Sequence, residues 1–476
     1  MSLLIKEVQV VDGTGKPPYK ADVLIQKNII SAIGNLKHRP AQKEIDGLGN
    51  YLAPGFIDIS TDSDHYLTLI TRPSQSDFTS QGVTTIIGGH CGASLAPLLY
   101  GTLESIRKWA DPEDINVNWH TTAEFLKTLD KLPLGVNFGT LAGHSTIRRA
   151  LIGESDRRLT AKELAVFERI LKRALEEGAF GFSTGLGYVH GRSAVGGEIK
   201  SLVKIVADHG GVYTTHLRSE TEGLLDSVKE TIKTTEKAGA KTVISHLRPI
   251  KGYETQFLEA LKLLEKSAAR ASVYFDIYPY ATSIQAIYTL LPLEIQKGNL
   301  ETMLEQVKDK KAVGQIKKEW QKLNMRGIKV ASAPHHPYLI GRMIEDADDL
   351  INLMIATNLR ATVSNPNING DLLPDTLAMS RAFIASSGSE QVSNTFPKYL
   401  EMAVKDGEVP IERAIKKITS DAFSYFGVKH RGVVKERNIA DLVIIGKSDY
   451  KVRSTILGGK VVGEEETKGE VLRHRK

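Results

Sequence analysis

The hydrophobic positions change their period along the chain. Over the first fifty residues, the β-branched runs "LLIKEVQVV", "ADVLIQ" and "IISAIG", separated by the turn-forming "DGTGKPPYK" and "KN", predict strands. "ADLVIIG" and "STILGGKVV" near the end read the same way. Two β segments enclosing everything else predict a small β-sandwich formed by both termini, residues 1–52 with 431–476. Between them, "TTIIGG", "GVNFGTLAG", "AFGFSTG", "GVYTTHL", "AKTVISHL", "ASVYFDIYPY", "GIKVASA" and "RATVSN" alternate with amphipathic helical stretches. One of these, Thr160–Gly178, opens on a Ser/Thr-x-x-Glu capping pair, Thr160 and Glu163, and closes on a glycine. Strand and helix in such alternation predict a parallel sheet. About eight strands favour a closed (β/α)8 TIM-type barrel over an open doubly wound sheet. The barrel is expected over residues 53–430, with an insertion around 285–326. No Gly-x-Gly-x-x-Gly follows the early strands, which weakens a dinucleotide-binding reading.

Composition narrows the class without changing the fold. With 41% hydrophobic and 25% charged residues over 476 positions, the chain has the balance of a folded globular protein rather than a disordered one. The net charge of +6 is spread along the chain. It concentrates locally at the tail "RHRK", a solvated end, and at Gln306–Lys322, which alternates basic and apolar residues as a solvated helix face does, so no nucleic-acid partner is expected. A single cysteine, Cys91, excludes an intrachain disulfide. No apolar run reaches the roughly 18 residues of a membrane span, and "MSLLIKEVQVVDG" has no secretory pattern, so no membrane partner and a cytoplasmic location are expected.

In a barrel of this kind the chemistry lies at the C-terminal strand ends. Read in order, those ends carry Ser60 and Asp62, Cys91, His144, His216, His246, Tyr278 and Tyr280, and Asn365. A thiolate and two imidazoles from separate strands, Cys91, His216 and His246, are a sufficient donor set for zinc with one position left for water. Taken singly, each has an ordinary alternative: a strand-end histidine more often hydrogen-bonds or packs, and a lone cysteine fills a core. Spacing cannot decide between these readings.

Over almost its whole length the chain resembles the N-acyl-D-amino-acid deacylases (D-aminoacylases), a branch of the amidohydrolase superfamily of metal-dependent barrels. The matching pieces run in family order: "VVDGTGKPPYKADVLIQKNIISAIG", "APGFID", "SQGVTTIIGGHCGASLAP", "GHSTIR", "GFSTGLGY", "GGVYTTHLRSE", "ISHLR", "YPYATS", "NTFPKYL" and "IADLVI". The resemblance implies a zinc-dependent hydrolase of a linear amide, with a small N-acyl amino acid or related amide as substrate. It puts Cys91, His216 and His246 at the tight metal site. Tyr188 falls on the substrate pocket, and Arg248 stands where the family usually has lysine; His144 and Tyr280 join them as candidate substrate contacts.

The sequence also departs from the family. After "GFID", the His-x-His that holds a second metal is replaced by Ser60 and Asp62, so one zinc ion is expected and the second site is absent or held differently. The family's catalytic aspartate follows a late strand in a Ser-Asp pair, for which the match here is Ser364 and Asn365; an amide cannot accept the proton. The family's His-Pro segment is missing as well, replaced by "SSGSEQVSNTFP". Asp62 is the preferred substitute, as metal ligand or as base, ahead of Asp64, His65 and Asp371, while His90 offers an extra donor beside Cys91. Two other outcomes stay open at this point: a non-catalytic descendant that keeps the metal site, and an altered reaction at the same metal.

Overall fold

The computed structural model describes residues 2–100, 103–321, 325–386, 392–407 and 409–475. The N-terminal segment folds as β1 (Ser2–Val10), β2 (Tyr19–Gln26), β3 (Ile29–Gly34), β4 (Lys43–Asp46) and β5 (Tyr51–Pro54). It is continued by strands from the other end of the chain. The segment Leu442–Ile445 pairs antiparallel with β5, and Val452–Leu457 and Lys460–Val461 extend the sheet beyond it. One face of this sheet is dry: Leu3, Ile5, Val8 and Val10 pack with Leu442, Ile444 and Ile456.

The parallel strands follow in sequence order: β6 (Phe56–Asp58), β7 (Val83–Gly88), β8 (Asn137–Thr140) running on into β9 (Ala142–Gly143), β10 (Gly181–Gly185), β11 (Val212–His216), β12 (Lys241–Ile244) and β13 (Ser272–Ile277). Each pairs in parallel with the next, apart from β8 and β9, which are consecutive pieces of one strand position. Helices return the chain between them, as in Ala161–Glu176. That helix has both halves of the capping box expected at Thr160 and Glu163, and it buries Phe167, Leu171, Ala174 and Leu175 along one stripe. The expected (β/α)8 barrel is present.

Its last strand is not the one that the pattern pointed to. The run around Thr362–Asn365 (β16) lies antiparallel to Ser283–Ala286 (β14) and to Lys329–Ser332 (β15), in a separate three-stranded sheet. Helices Leu300–Lys308, Lys310–Trp320 and Ala347–Ala356 cover this sheet, and Met303, Trp320, Leu350 and Val363 belong to a hydrophobic core of its own. The position beside β13 is taken by a three-residue strand, Ala382–Ile384 (β17). Two of the runs read as barrel strands, "GIKVASA" and "RATVSN", therefore belong to an elaboration between β13 and β17. A second difference concerns the C-terminal tail, which leaves the terminal sheet and runs back against the barrel. There, Phe138 N donates to Glu470 O at 3.0 Å and Leu472 N to Phe138 O at 2.7 Å.

Candidate metal centre

The stretch that follows β7, Gly89-His90-Cys91-Gly92, reverses tightly. Gly89 and Gly92 have φ of 81° and 80°, and Cys91 itself is left-handed at 53°. His246, just beyond β12, is left-handed too, at 40°. Non-glycine residues avoid this region, and two of the three candidate ligands adopt it, as strained backbone at functional sites does. The environment fixes both. Asp64 accepts the Gly89 N–H at 2.7 Å, and the Asp276 carboxylate accepts the His246 N–H at 2.8 Å. His216 needs no such device, being the last residue of β11 in register with Gly185.

The three donor atoms converge. Cys91, His216 and His246 are buried, and one ligand atom from each lies within 4.8 Å of the others. Cys91 Sγ is 3.5 Å from His246 Nε2, which is 3.0 Å from His216 Nδ1. A thiol and two imidazole nitrogens aimed at one point fit a borderline-soft divalent ion. His246 Nδ1 is turned outward to Glu220 Oε1 at 3.1 Å, leaving Nε2 for the ion, the outer-shell arrangement that metal histidines use. Burial opposes a charge on His246, but Glu220 and Cys91 outweigh it and push the imidazole up to about 10. Burial pushes His216 down to about 3.

Around this point the sequence-derived candidates separate. The Tyr188 ring lies flat on His216, centroids 4.3 Å apart and planes 16° apart. Arg248 is buried, and its charge is already matched: Nη2 donates to Glu220 Oε2 at 3.1 Å and Nη1 to the Tyr278 hydroxyl at 2.7 Å. Asp62 lies outside the three-donor group; its Oδ1 meets His65 Nδ1 at 2.9 Å. Burial works against the Asp62 charge, yet the His65 contact and the nearby His90 and His246 hold the carboxyl below its ordinary range. Oδ2 has no hydrogen-bond partner among the described residues, and the side chain keeps 19% exposure. His90 is buried outside the donor group, and Asp64 is occupied in the turn before it.

Four candidates are not at this point. His144 pairs with Glu198 at 2.8 Å, fully buried against Phe167 and Phe182. Tyr280 packs under Lys398, whose Nζ is 4.3 Å from its ring centre. Asn365 stands on β16, opposite Ser283, because that strand pairs antiparallel within the elaboration and does not enter the barrel. Asp371 is exposed on a turn at Gly370–Leu372. The segment that truly follows the last barrel strand is Ala385-Ser386-Ser387-Gly388-Ser389-Glu390-Gln391; its residues 387–391, within "SSGSEQVSNTFP", lie outside the described residues.

Sequence reasoning missed Glu220, Asp58, Lys108 and the cavity wall. Asp58 is fully buried, accepts the Ser386 N–H at 3.1 Å and is pushed up to about 7, first by burial and further by Asp276. A cavity of about 230 Å³ opens beside Cys91 and Tyr188, walled by Lys108, Arg149, Glu154, Tyr288 and Leu300. Burial, above all, lowers Lys108 there to about 7.

An amidohydrolase family model matches residues 114–462. The chain belongs to the amidohydrolase family. As an amidohydrolase it is a hydrolase of carbon–nitrogen bonds other than peptide bonds. D-aminoacylase of Alcaligenes xylosoxydans xylosoxydans is 30% identical over 461 residues, covering 93% of this chain and 87% of the relative. A solved D-aminoacylase, whose binuclear metal centre is described by one-metal activation and second-metal attenuation, superposes with a TM-score of 0.83 at 26% identity, covering 99% of both chains. The fold is shared as well with N-acyl-D-glutamate deacylase of Bordetella bronchiseptica, solved with zinc and a phosphonate inhibitor, at a TM-score of 0.82 and 23% identity over 99% of each chain.

Proposed function

We propose that this amidohydrolase is a one-zinc deacylase that hydrolyses the amide of an N-acyl-D-amino acid. The convergence of Cys91, His216 and His246 carries the reading. A thiolate with two imidazoles suits zinc better than the harder ions that seek oxygen. The likeness to D-aminoacylase, and the one-metal activation described for the solved member, support a centre that works without the second ion. Ser60 and Asp62, which stand in place of the family's second-metal histidines, fit that economy. The ion, when held, supplies a Lewis acid for the acyl carbonyl and the attacking water.

The chain's own residues do the rest. Glu220 holds the His246 ring so that Nε2 faces the ion, and Tyr188 covers His216 from the cavity side. Asp62 is the proton carrier in this reading: its free Oδ2 takes a proton from the attacking water and returns it to the leaving amine nitrogen. His65 holds the other oxygen, fixing the carboxylate's direction. Asp62 thus acts as base and not as ligand, since its carboxylate stays outside the donor group.

Metal analysis with hydrolysis assays on N-acyl-D- and N-acyl-L-amino acids tests this. The expected result is about one zinc per chain and turnover on the D series. Cys91→Ala should abolish both, whereas Asp62→Asn should keep the metal and lower kcat by about a hundred- to ten-thousand-fold. Bound zinc with no turnover on any member of either series would overturn the assignment.

A further inference from the structure

Four cationic side chains line the cavity beside Cys91: Arg107, Lys108, Arg149 and Arg360. Three of them face carboxylates. Arg107 Nε lies 2.7 Å from Glu104, whose other oxygen is 4.0 Å from Arg360, and Arg149 Nε lies 3.0 Å from Glu154. On the other side of the metal point, Glu220 balances Arg248. Lys108 is different. Among the described residues its ammonium has no hydrogen bond and no ion pair.

Its surroundings are two aromatic faces, with Nζ 3.8 Å from the Tyr188 ring centre and 4.0 Å from that of Trp109. These two rings rest on the chemistry from opposite sides. Tyr188 stacks on His216, and Trp109 stacks at 4.3 Å on His65, the partner of Asp62. Cation–π contact holds the ammonium in place and replaces part of its lost hydration, but it supplies no opposite charge. A half-buried ammonium held between rings that stack on His216 and on His65, with every neighbouring cation already facing a carboxylate, is placed to meet an anion in the cavity.

We infer that Lys108 binds the α-carboxylate of the substrate, pairing with it across the cavity while the acyl carbonyl is presented to Cys91, His216 and His246. This rests on the deacylase reading. The Arg248 charge is already matched by Glu220, and its two Nη groups donate to Glu220 and Tyr278, whereas Lys108 faces no carboxylate within ion-pair distance among the described residues. The cavity wall next to it, with Val189, Tyr288 and Leu300, accepts an apolar side chain on the same substrate.

The test is equilibrium binding to the zinc-loaded chain of N-methanesulfonyl-D-leucine, a sulfonamide that resists hydrolysis, against its primary carboxamide. Wild type should prefer the acid by about tenfold or more, the worth of a charge-assisted hydrogen bond in a sheltered site. Lys108→Met should remove the preference by weakening the acid alone, and Lys108→Arg should restore most of it. Thermal melts and bound zinc should match wild type in both variants. A wild type that binds both ligands equally, or a Lys108→Met that weakens both equally or neither, would overturn the assignment while leaving the deacylase reading intact. A wild type that binds neither ligand would overturn both.

Discussion

Glu220 is the residue whose removal should tell most about the metal centre. Its two oxygens serve two donors, His246 Nδ1 and Arg248 Nη2, each at 3.1 Å. Glu220→Gln keeps the shape but leaves a single acceptor. If the amide oxygen turns to Arg248, the NH2 group opposes His246 Nδ1–H, and the ring must rotate and draw Nε2 away from the ion. If it turns to His246, the buried Arg248 loses its counter-charge. The first outcome weakens zinc binding by about 10- to 100-fold, as loss of an outer-shell partner does. The second destabilises the fold by about 1–3 kcal/mol through an unsatisfied charged group. The two outcomes differ in the double variant: Glu220→Gln with Arg248→Met frees the amide oxygen for His246 and should recover most of the zinc affinity. Zinc dissociation constants from chelator competition, with urea unfolding of the metal-free proteins, give both quantities. A single variant within about twofold of wild type in zinc affinity would refute the view that Glu220 orients His246.

Two further predictions concern the barrel interior. Asp58 is held protonated up to about 7, against 3.8 in an unfolded chain, so the folded state keeps a proton that the unfolded state has released. Stability should therefore fall as pH rises from about 4 to about 7, by up to roughly 1.4 kcal/mol per unit from this group. Asp58→Asn accepts the same N–H bonds without ionising, and in urea titrations its advantage over wild type should grow across that range; a constant difference would exclude the linkage. At Gly185, an added Cβ would lie 2.3 Å from the Cys91 carbonyl oxygen and 2.7 Å from the Tyr188 ring. Gly185→Ala should displace the Cys91 turn, lower zinc affinity by about tenfold or more and cost about 1–3 kcal/mol of stability, measurable by chelator competition and thermal melts.

The three converging donors were legible because each closes a hydrophobic run: His216 and His246 end strand patterns, and Cys91 is the single thiol after a third. Glu220 and Lys108 were not. They stand in loops where no periodicity exists, and only folding shows that Glu220 reaches across to His246 or that Lys108 lies between Tyr188 and Trp109. The barrel was legible as a repeat of strand and helix, but strand membership was not. Buried parallel and antiparallel strands share the same β-branched composition, so Lys329–Ser332 and Thr362–Asn365 read as barrel strands although they pair with each other. The true last strand, Ala382–Ile384, is three residues long and gives no period to recognise.

That misplacement has a mechanistic consequence. Had Asn365 ended the last barrel strand, the chain would carry an amide where a base is needed, and the loss of the carboxylate would stand as the main fact about the site. The strand that does occupy this position is followed by Ala385 and Ser386, and Ser386 gives its N–H to Asp58, a carboxyl held near neutrality inside the barrel. Asn365 therefore does not end the last barrel strand. The question of the base passes instead to the first strand, where Asp62 retains a free oxygen and a charge that His65, His90 and His246 favour over the penalty of burial. The proposed role of proton carrier rests on this arrangement, a carboxylate fixed through one oxygen by His65 with the other left open.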